Sequence, residues 1–173
     1  MTERKRNGAD RPARRSTRPA PASSPRSRLL AHSLPTQLVR ARDAVMQRFR
    51  PHLNAHGVTD QQWRVLRALA EAEALEIGDL AARCCIHPAS LSRILPRLDE
   101  QGLTERQVHA QDKRRITVAI TPQGRRLFEM VAPDSDAVYG EITRKLGSKR
   151  LQEVHRLLDE VIRVLDQSKS DRT

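Results

Sequence analysis

Apolar residues recur at three- and four-residue steps from Leu34 through Leu38, Ala41, Val45, Phe49 and Leu53, the spacing that gathers them on one face of a helix. Gly57 closes this run. Thr59, with Gln62 three positions on, forms a capping box for a second helix, and Trp63, Leu66, Leu69 and Ala70 line its inner side. "EAEALEI" reads as a short connection, and Asp79 to Ala82 as a brief third helix. The stretch "CCIHPASLSRILPRLDEQGL" predicts a fourth, with Ile86, Leu91, Ile94, Leu95 and Leu98 apolar and Gly102 as its C-terminal stop. Pro96 inside it cannot donate to the Ser92 carbonyl and predicts a kink.

The period then changes from helical to alternating. Residues 103–108 and 115–121 read as two strands joined by a short polar tip. Thr121-Pro122 starts another helix, since threonine caps and proline suits the first helical position; it carries Leu127, Val131, Val138 and Ile142 and is expected to bend near Pro133. Ser148 is expected to cap a last helix bearing Leu151, Val154, Leu157, Leu158, Val161, Ile162 and Leu165. A short helix, a turn, a second helix and a basic hairpin make a winged helix-turn-helix. The expected fold is mainly α with a small β-wing. The long flanking helices are too apolar on one face to stand alone in water, which predicts an obligate dimer.

Composition supports the helical reading. Aromatic residues make up only 2% of the 173 residues, so the core must be built from Leu, Val, Ile and Ala, which suits packed helices better than a sandwich or barrel. The net charge of +11 favours a polyanionic partner, but it is unevenly spread. Residues 1–33 hold nine Arg and Lys against Glu3 and Asp10. This Pro-, Ser- and Arg-rich stretch has no long apolar run and is expected to be a disordered basic tail. No segment has the length and hydropathy of a membrane span, no secretory signal is evident, and a cytoplasmic protein is expected. The organisation expected is a tail at 1–33, a helical dimerisation region at 34–58 and 122–168, a DNA-binding region at 59–121, and a C-terminal tail at 169–173.

The segment Asp112-Lys113-Arg114-Arg115-Ile116-Thr117-Val118-Ala119-Ile120-Thr121-Pro122-Gln123-Gly124 resembles the wing signature of MarR-family transcriptional regulators, in which an Asp-x-Arg tip precedes a strand ending in Ile-Thr and then a glycine. The resemblance covers residues 34–168 and is strongest to the branch that includes regulators of homoprotocatechuate degradation operons. It implies that Arg114 reaches into the DNA minor groove, where negative potential is concentrated, with Asp112 orienting its guanidinium and Lys113 beside it. Arg115 departs from the pattern, where small residues are common; it either adds a phosphate contact or faces solvent. The resemblance also places the helix from His87 to Gln101 in the major groove. Its exposed positions would include His87, Ser90, Ser92, Arg93 and Arg97, with Arg93 reading a guanine edge and Ser90, Ser92 and Arg97 gripping phosphate.

Members of the family often respond to small phenolic or aromatic carboxylates. Here Arg40, Arg42, Arg48 and Arg50 would supply a cation, Met46, Phe49 and Trp63 an apolar slot, and His52 and His56 partners for a ring hydroxyl. Trp63 is also read as a core residue. Homoprotocatechuate-like acids, hydroxybenzoates and hydroxynicotinates are the effector class implied. His52 and His56 also have the i, i+4 spacing of two metal ligands, but no third ligand is evident, so neither metal nor cofactor is expected. Cys84-Cys85 raise an alternative, thiol-based redox sensing, although their place in a helix beside Ile86 suggests two small buried residues. A non-specific architectural DNA binder is a further rival, on account of the basic tail. There is no Gly-rich phosphate loop, nucleophile elbow or carboxylate pair, and no enzyme is expected.

Overall fold

The computed structural model describes residues 33–108 and 115–170, with side chains to Asp166. The expectations for the tail at 1–32, for the wing tip with Asp112, Lys113 and Arg114, and for the last three residues lie outside the described residues. Two compact units divide the chain after Arg40. In the first, Ser33 precedes helix α1 (Leu34–Ala55): its hydroxyl donates to Thr36 Oγ1 at 2.8 Å and its carbonyl accepts from Gln37 N at 3.0 Å. Leu34, Leu38 and Val39 are exposed there.

In the second unit, the rest of α1 is followed by α2 (Asp60–Ala72), β1 (Ala74–Glu76), α3 (Ile77–Arg83), α4 (Pro88–Glu100), β2 (Thr104–Val108), β3 (Ile116–Ile120), α5 (Pro122–Leu146) and α6 (Ser148–Ser170). The capping box at Thr59 and Gln62 is present, and Gly57 and Gly102 carry the positive φ that ends α1 and α4. Thr121 Oγ1 accepts from Gly124 N at 3.0 Å, with Pro122 at the first turn of α5. Local chemistry thus sets these boundaries.

Two apolar clusters hold the unit together. The larger joins Val65, Leu66 and Leu69 of α2 to Leu80 of α3, Leu91, Leu95 and Leu98 of α4, and Val118 of β3. The smaller joins Phe49 and Leu53 of α1 to Val58, Trp63 and Val131. Each fully buried side chain of this size contributes about 1.5–3 kcal/mol. No described helix is long and apolar enough to cross a membrane.

Three local expectations are corrected. "EAEALEI" is not only a connection: Ala74–Glu76 form an edge strand, so the sheet has the order β1-β3-β2, antiparallel throughout, with Ala74 opposite Ala119 and Thr104 opposite Ile120. Helices α4 and α5 continue through Pro96 and Pro133, as expected, with Leu95 and Leu98 fully buried on either side of Pro96. Cys84 and Cys85 are not two buried helical residues; Cys84 is buried and ends α3, whereas Cys85 is exposed at φ 49. Ser148 is the first residue of α6, and the carbonyl before it, that of Gly147, accepts from Leu151 N at 3.0 Å.

α6 packs along α5 and leaves Val154, Leu157, Leu158, Ile162, Val164 and Leu165 exposed. This is a large apolar stripe for a helix of a single chain in water.

Candidate functional site

The turn between α3 and α4 sets how the second helix of the motif is presented. Cys85 takes a positive φ that an L-residue adopts at a cost of about 1–2 kcal/mol. The Arg64 guanidinium on α2 spans this turn, donating from Nη1 to the Cys84 carbonyl at 2.7 Å and to the Cys85 carbonyl at 3.4 Å. His87 then caps α4, its Nδ1 accepting from Ala89 N at 3.3 Å, and Pro88 occupies the first turn.

Because Leu91, Ile94, Leu95 and Leu98 face the core, the opposite side of α4 is left to solvent. His87, Ser92, Arg93 and Arg97 are exposed and Ser90 is half-buried. Arg93 and Arg97, one turn apart, line a cleft of about 390 Å³ with Ser90, Thr59, Asp60 and Gln61. Ser92 is exposed but already engaged: its hydroxyl donates to the Pro88 and Ala89 carbonyls, both at 3.1 Å. To donate to a phosphate it would have to leave its own helix.

The wing is braced to this helix at its root. Asp99 accepts from Thr104 Oγ1 at 2.6 Å and pairs with Arg106 Nε at 2.5 Å, so β2 is fixed to the end of α4. Arg115 is exposed over 56% of its side chain and is paired. It is bound to Glu76 of β1, Nε to Oε1 at 3.0 Å with Nη2 bonded to the same oxygen. The third strand, which sequence reading missed, supplies that partner.

The face of α1 and α2 expected to meet a ligand comes together in part. Phe49 and Trp63 are buried and Met46 is half-buried, with Trp63 stacked on Phe128 at 5.4 Å between ring centroids. Three of the arginines expected to supply the cation have acidic neighbours: Arg42 with Asp60 at 2.5 Å, Arg50 with Asp43 at 2.6 Å, and Arg48 with Glu141 at 3.9 Å. Arg40 is exposed in the first unit. His52 Nε2 lies 3.0 Å from Ser135 Oγ on α5, and burial holds its pKa below the usual histidine value. His56 faces Asp134 at 3.4 Å. Among the described residues, no three His, Cys, Asp or Glu side chains gather as a metal site.

Two residues that sequence reading passed over matter more. Arg67 on α2 donates from Nη1 to the hydroxyl of Tyr139 on α5 at 3.1 Å, and Tyr139 packs edge-on to Phe49 at 4.9 Å. Arg67 is half-buried and its bonded partner is a neutral phenol. The only trace of this in the sequence is that Asp60, Trp63 and Arg67 fall on one face of a helix. The Cys84 thiol donates to the Arg64 carbonyl at 3.4 Å, and burial pushes its pKa up, the opposite of what a reactive thiol needs.

Arg93→Ala is expected to relax preference at one base position per half-site at a cost of about 1–3 kcal/mol, leaving the fold unchanged. Binding to a panel of single-base operator variants measures this, and an unchanged preference profile would remove Arg93 as a reader.

A sequence model described as "MarR family" matches residues 56–115. The chain is 40% identical over 129 residues to the HTH-type transcriptional regulator FarR of Neisseria gonorrhoeae, covering 75% of this chain and 88% of that protein. It is 35% identical over 130 residues, with the same coverage, to the homoprotocatechuate degradative operon repressor of Escherichia coli. Among solved structures, NadR in complex with 4-hydroxyphenylacetate aligns with a TM-score of 0.65 at 40% identity, over 75% of this chain and 92% of that one.

Proposed function

This chain belongs to the MarR family of transcriptional regulators, and from that premise we propose that it is a homodimeric repressor released from its operator by a small aromatic acid. In this reading residues 59–121 hold the DNA, one α4 and one wing per half-site, and residues 34–58 and 122–168 pair two subunits. Two-fold symmetry then sets half-sites about one DNA turn apart. Ser90, Arg93, Arg97 and, by its place in the wing signature, Arg114 make the contacts. Asp112 and Lys113 flank Arg114, and His87 serves chiefly to cap α4.

The observation that carries the effector reading is Arg67. A half-buried guanidinium bonded to a phenol rather than a carboxylate is a cation suited to an incoming anion. Two turns back along α2, about 10 Å away by helix geometry, stands the Arg42–Asp60 pair, with the buried Trp63 between Asp60 and Arg67 on the same helix. A ring acid with a hydroxyl at its far end matches this layout. Its carboxylate would join Arg67 and Tyr139, its ring would pack on the aromatic side chains, and its hydroxyl would donate to Asp60. A homoprotocatechuate-like acid comes first, as the names of two relatives also suggest. Release follows if the acid favours a spacing of the two DNA-binding lobes that no longer fits successive major grooves.

Two measurements test the reading. Footprinting is expected to show a short protected inverted repeat rather than broad coverage, with protection lost on adding 4-hydroxyphenylacetate. Calorimetry should find the acid binding at least about tenfold more tightly than its amide, because the amide leaves Arg67 desolvated without a counter-charge. Equal affinity for the two would rule out the charge-paired slot.

A further inference from the structure

We propose that Arg64 is the positioning residue through which the effector face controls the recognition helix, by way of a carboxylate, Asp60, that changes partner. The inference rests on the effector reading above for the identity of the trigger, and on the geometry for the relay itself.

Asp60 stands between two guanidinia. Its Oδ2 is 2.5 Å from Arg42 Nη2 on α1, and its Oδ1 is 3.8 Å from Arg64 Nη2, one turn along α2. The carboxylate is largely buried, with 19% of its side chain exposed, so losing a charged partner matters more to it than to a surface carboxylate. Arg64 divides its donors between this carboxylate and the carbonyls of Cys84 and Cys85. Those carbonyls belong to the strained turn that launches α4, two residues before the His87 cap.

The two ends of Arg64 therefore compete. While Arg42 satisfies Asp60, Arg64 stays on the turn and holds Cys85 in its positive-φ conformation. When a neutral hydroxyl displaces Arg42, Asp60 loses its nearer cation and the gap to Arg64 closes. Arg64 then gives up carbonyl bonds, the turn relaxes, and the first residues of α4 lose their fixed position. Arg93 and Arg97 no longer meet the major groove in register.

The relay can be triggered without any ligand. Arg42→Gln removes the nearer cation and should weaken operator binding about fivefold or more. Amide exchange at Ser90 and Leu91, whose N–H groups donate to the His87 carbonyl, should quicken in the same variant. The decisive arm is suppression: adding Asp60→Asn to Arg42→Gln leaves nothing to draw Arg64 off the turn, so affinity should return to within about twofold of the parent. Arg42→Lys, which keeps the charge, should behave like the parent. An Arg42→Gln variant with unchanged operator affinity, or a loss that Asp60→Asn does not reverse, would overturn the relay. Quenching of Trp63, the single tryptophan, by 4-hydroxyphenylacetate is a separate test. Its absence would remove the effector reading, while the affinities of the variants still decide the relay.

Discussion

Changing Leu158 and Ile162 to aspartate is expected to split the proposed dimer into monomers and cut operator affinity by about a hundredfold or more. Both side chains lie on α6, one turn apart, and are exposed on the single chain at 38% and 58%. No part of the subunit core depends on them, so circular dichroism should be unchanged. In the proposed dimer a second α6 would cover their apolar surface. Aspartate at two buried interface positions would bring desolvated carboxylates together at the two-fold axis, where each change occurs twice. A monomer retains one recognition helix and one wing, and it loses the second half-site that a tethered partner would fill at high effective concentration. Sedimentation should show the 19.6 kDa chain instead of twice that mass. A monomeric parent protein, or a variant that stays dimeric and binds fully, would refute the placement of the interface.

Gly124→Ala should give the largest loss of stability from a single methyl group. A Cβ at this position would meet the Leu103 carbonyl oxygen far inside van der Waals contact. It would also come 2.9 Å from Ile120 Cγ1 and 3.0 Å from the Leu103 carbonyl carbon. The obstacle is backbone, not the tip of a flexible side chain, so it cannot step aside. That same carbonyl accepts from Thr121 N at 3.1 Å, which ties the start of β2 to the start of α5. Retreat would break the tie and shift the wing relative to the long helix. The expected cost is at least about 3 kcal/mol, a fall of roughly 10 °C in Tm. Gly140, with nothing near its position, is the control: Ala there should be neutral or slightly stabilising in the helix. If Gly124→Ala melts with the parent, the close packing of α5 on the β2 entrance is wrong. This packing gives a physical reason for glycine at position 124 of this chain.

Much of this architecture is local and can be read from the chain. The Thr59–Gln62 box, the glycine stops at 57 and 102, and the Thr121-Pro122 start each depend on residues within a few positions, and the apolar spacing of α2 and α4 selects their buried faces. What escaped is what needs a distant partner. Ala74–Glu76 has too few residues for a period and becomes a strand because β3 is there to pair with it. Arg115 has no visible purpose until that strand brings Glu76 against it.

The candidate sites divide in the same way. The buried side of α4 follows from a 3.6-residue period, whereas Arg93 and Arg97 were expected on its outer face through the family resemblance. Their strained launching turn was not, because Arg64 reaches it from 20 residues away. On the effector side, the sequence by itself determined that α1 carries arginines beside Met46 and Phe49. It did not show that Arg42 and Arg50 are held by carboxylates while Arg67 is left with a phenol 72 residues distant. Helix type and facing are settled by neighbours a turn apart, which composition and spacing encode directly. Which charge stays available for a ligand depends on which side chains the packing of α1, α2 and α5 brings within a few ångströms, and only the tertiary structure decides that.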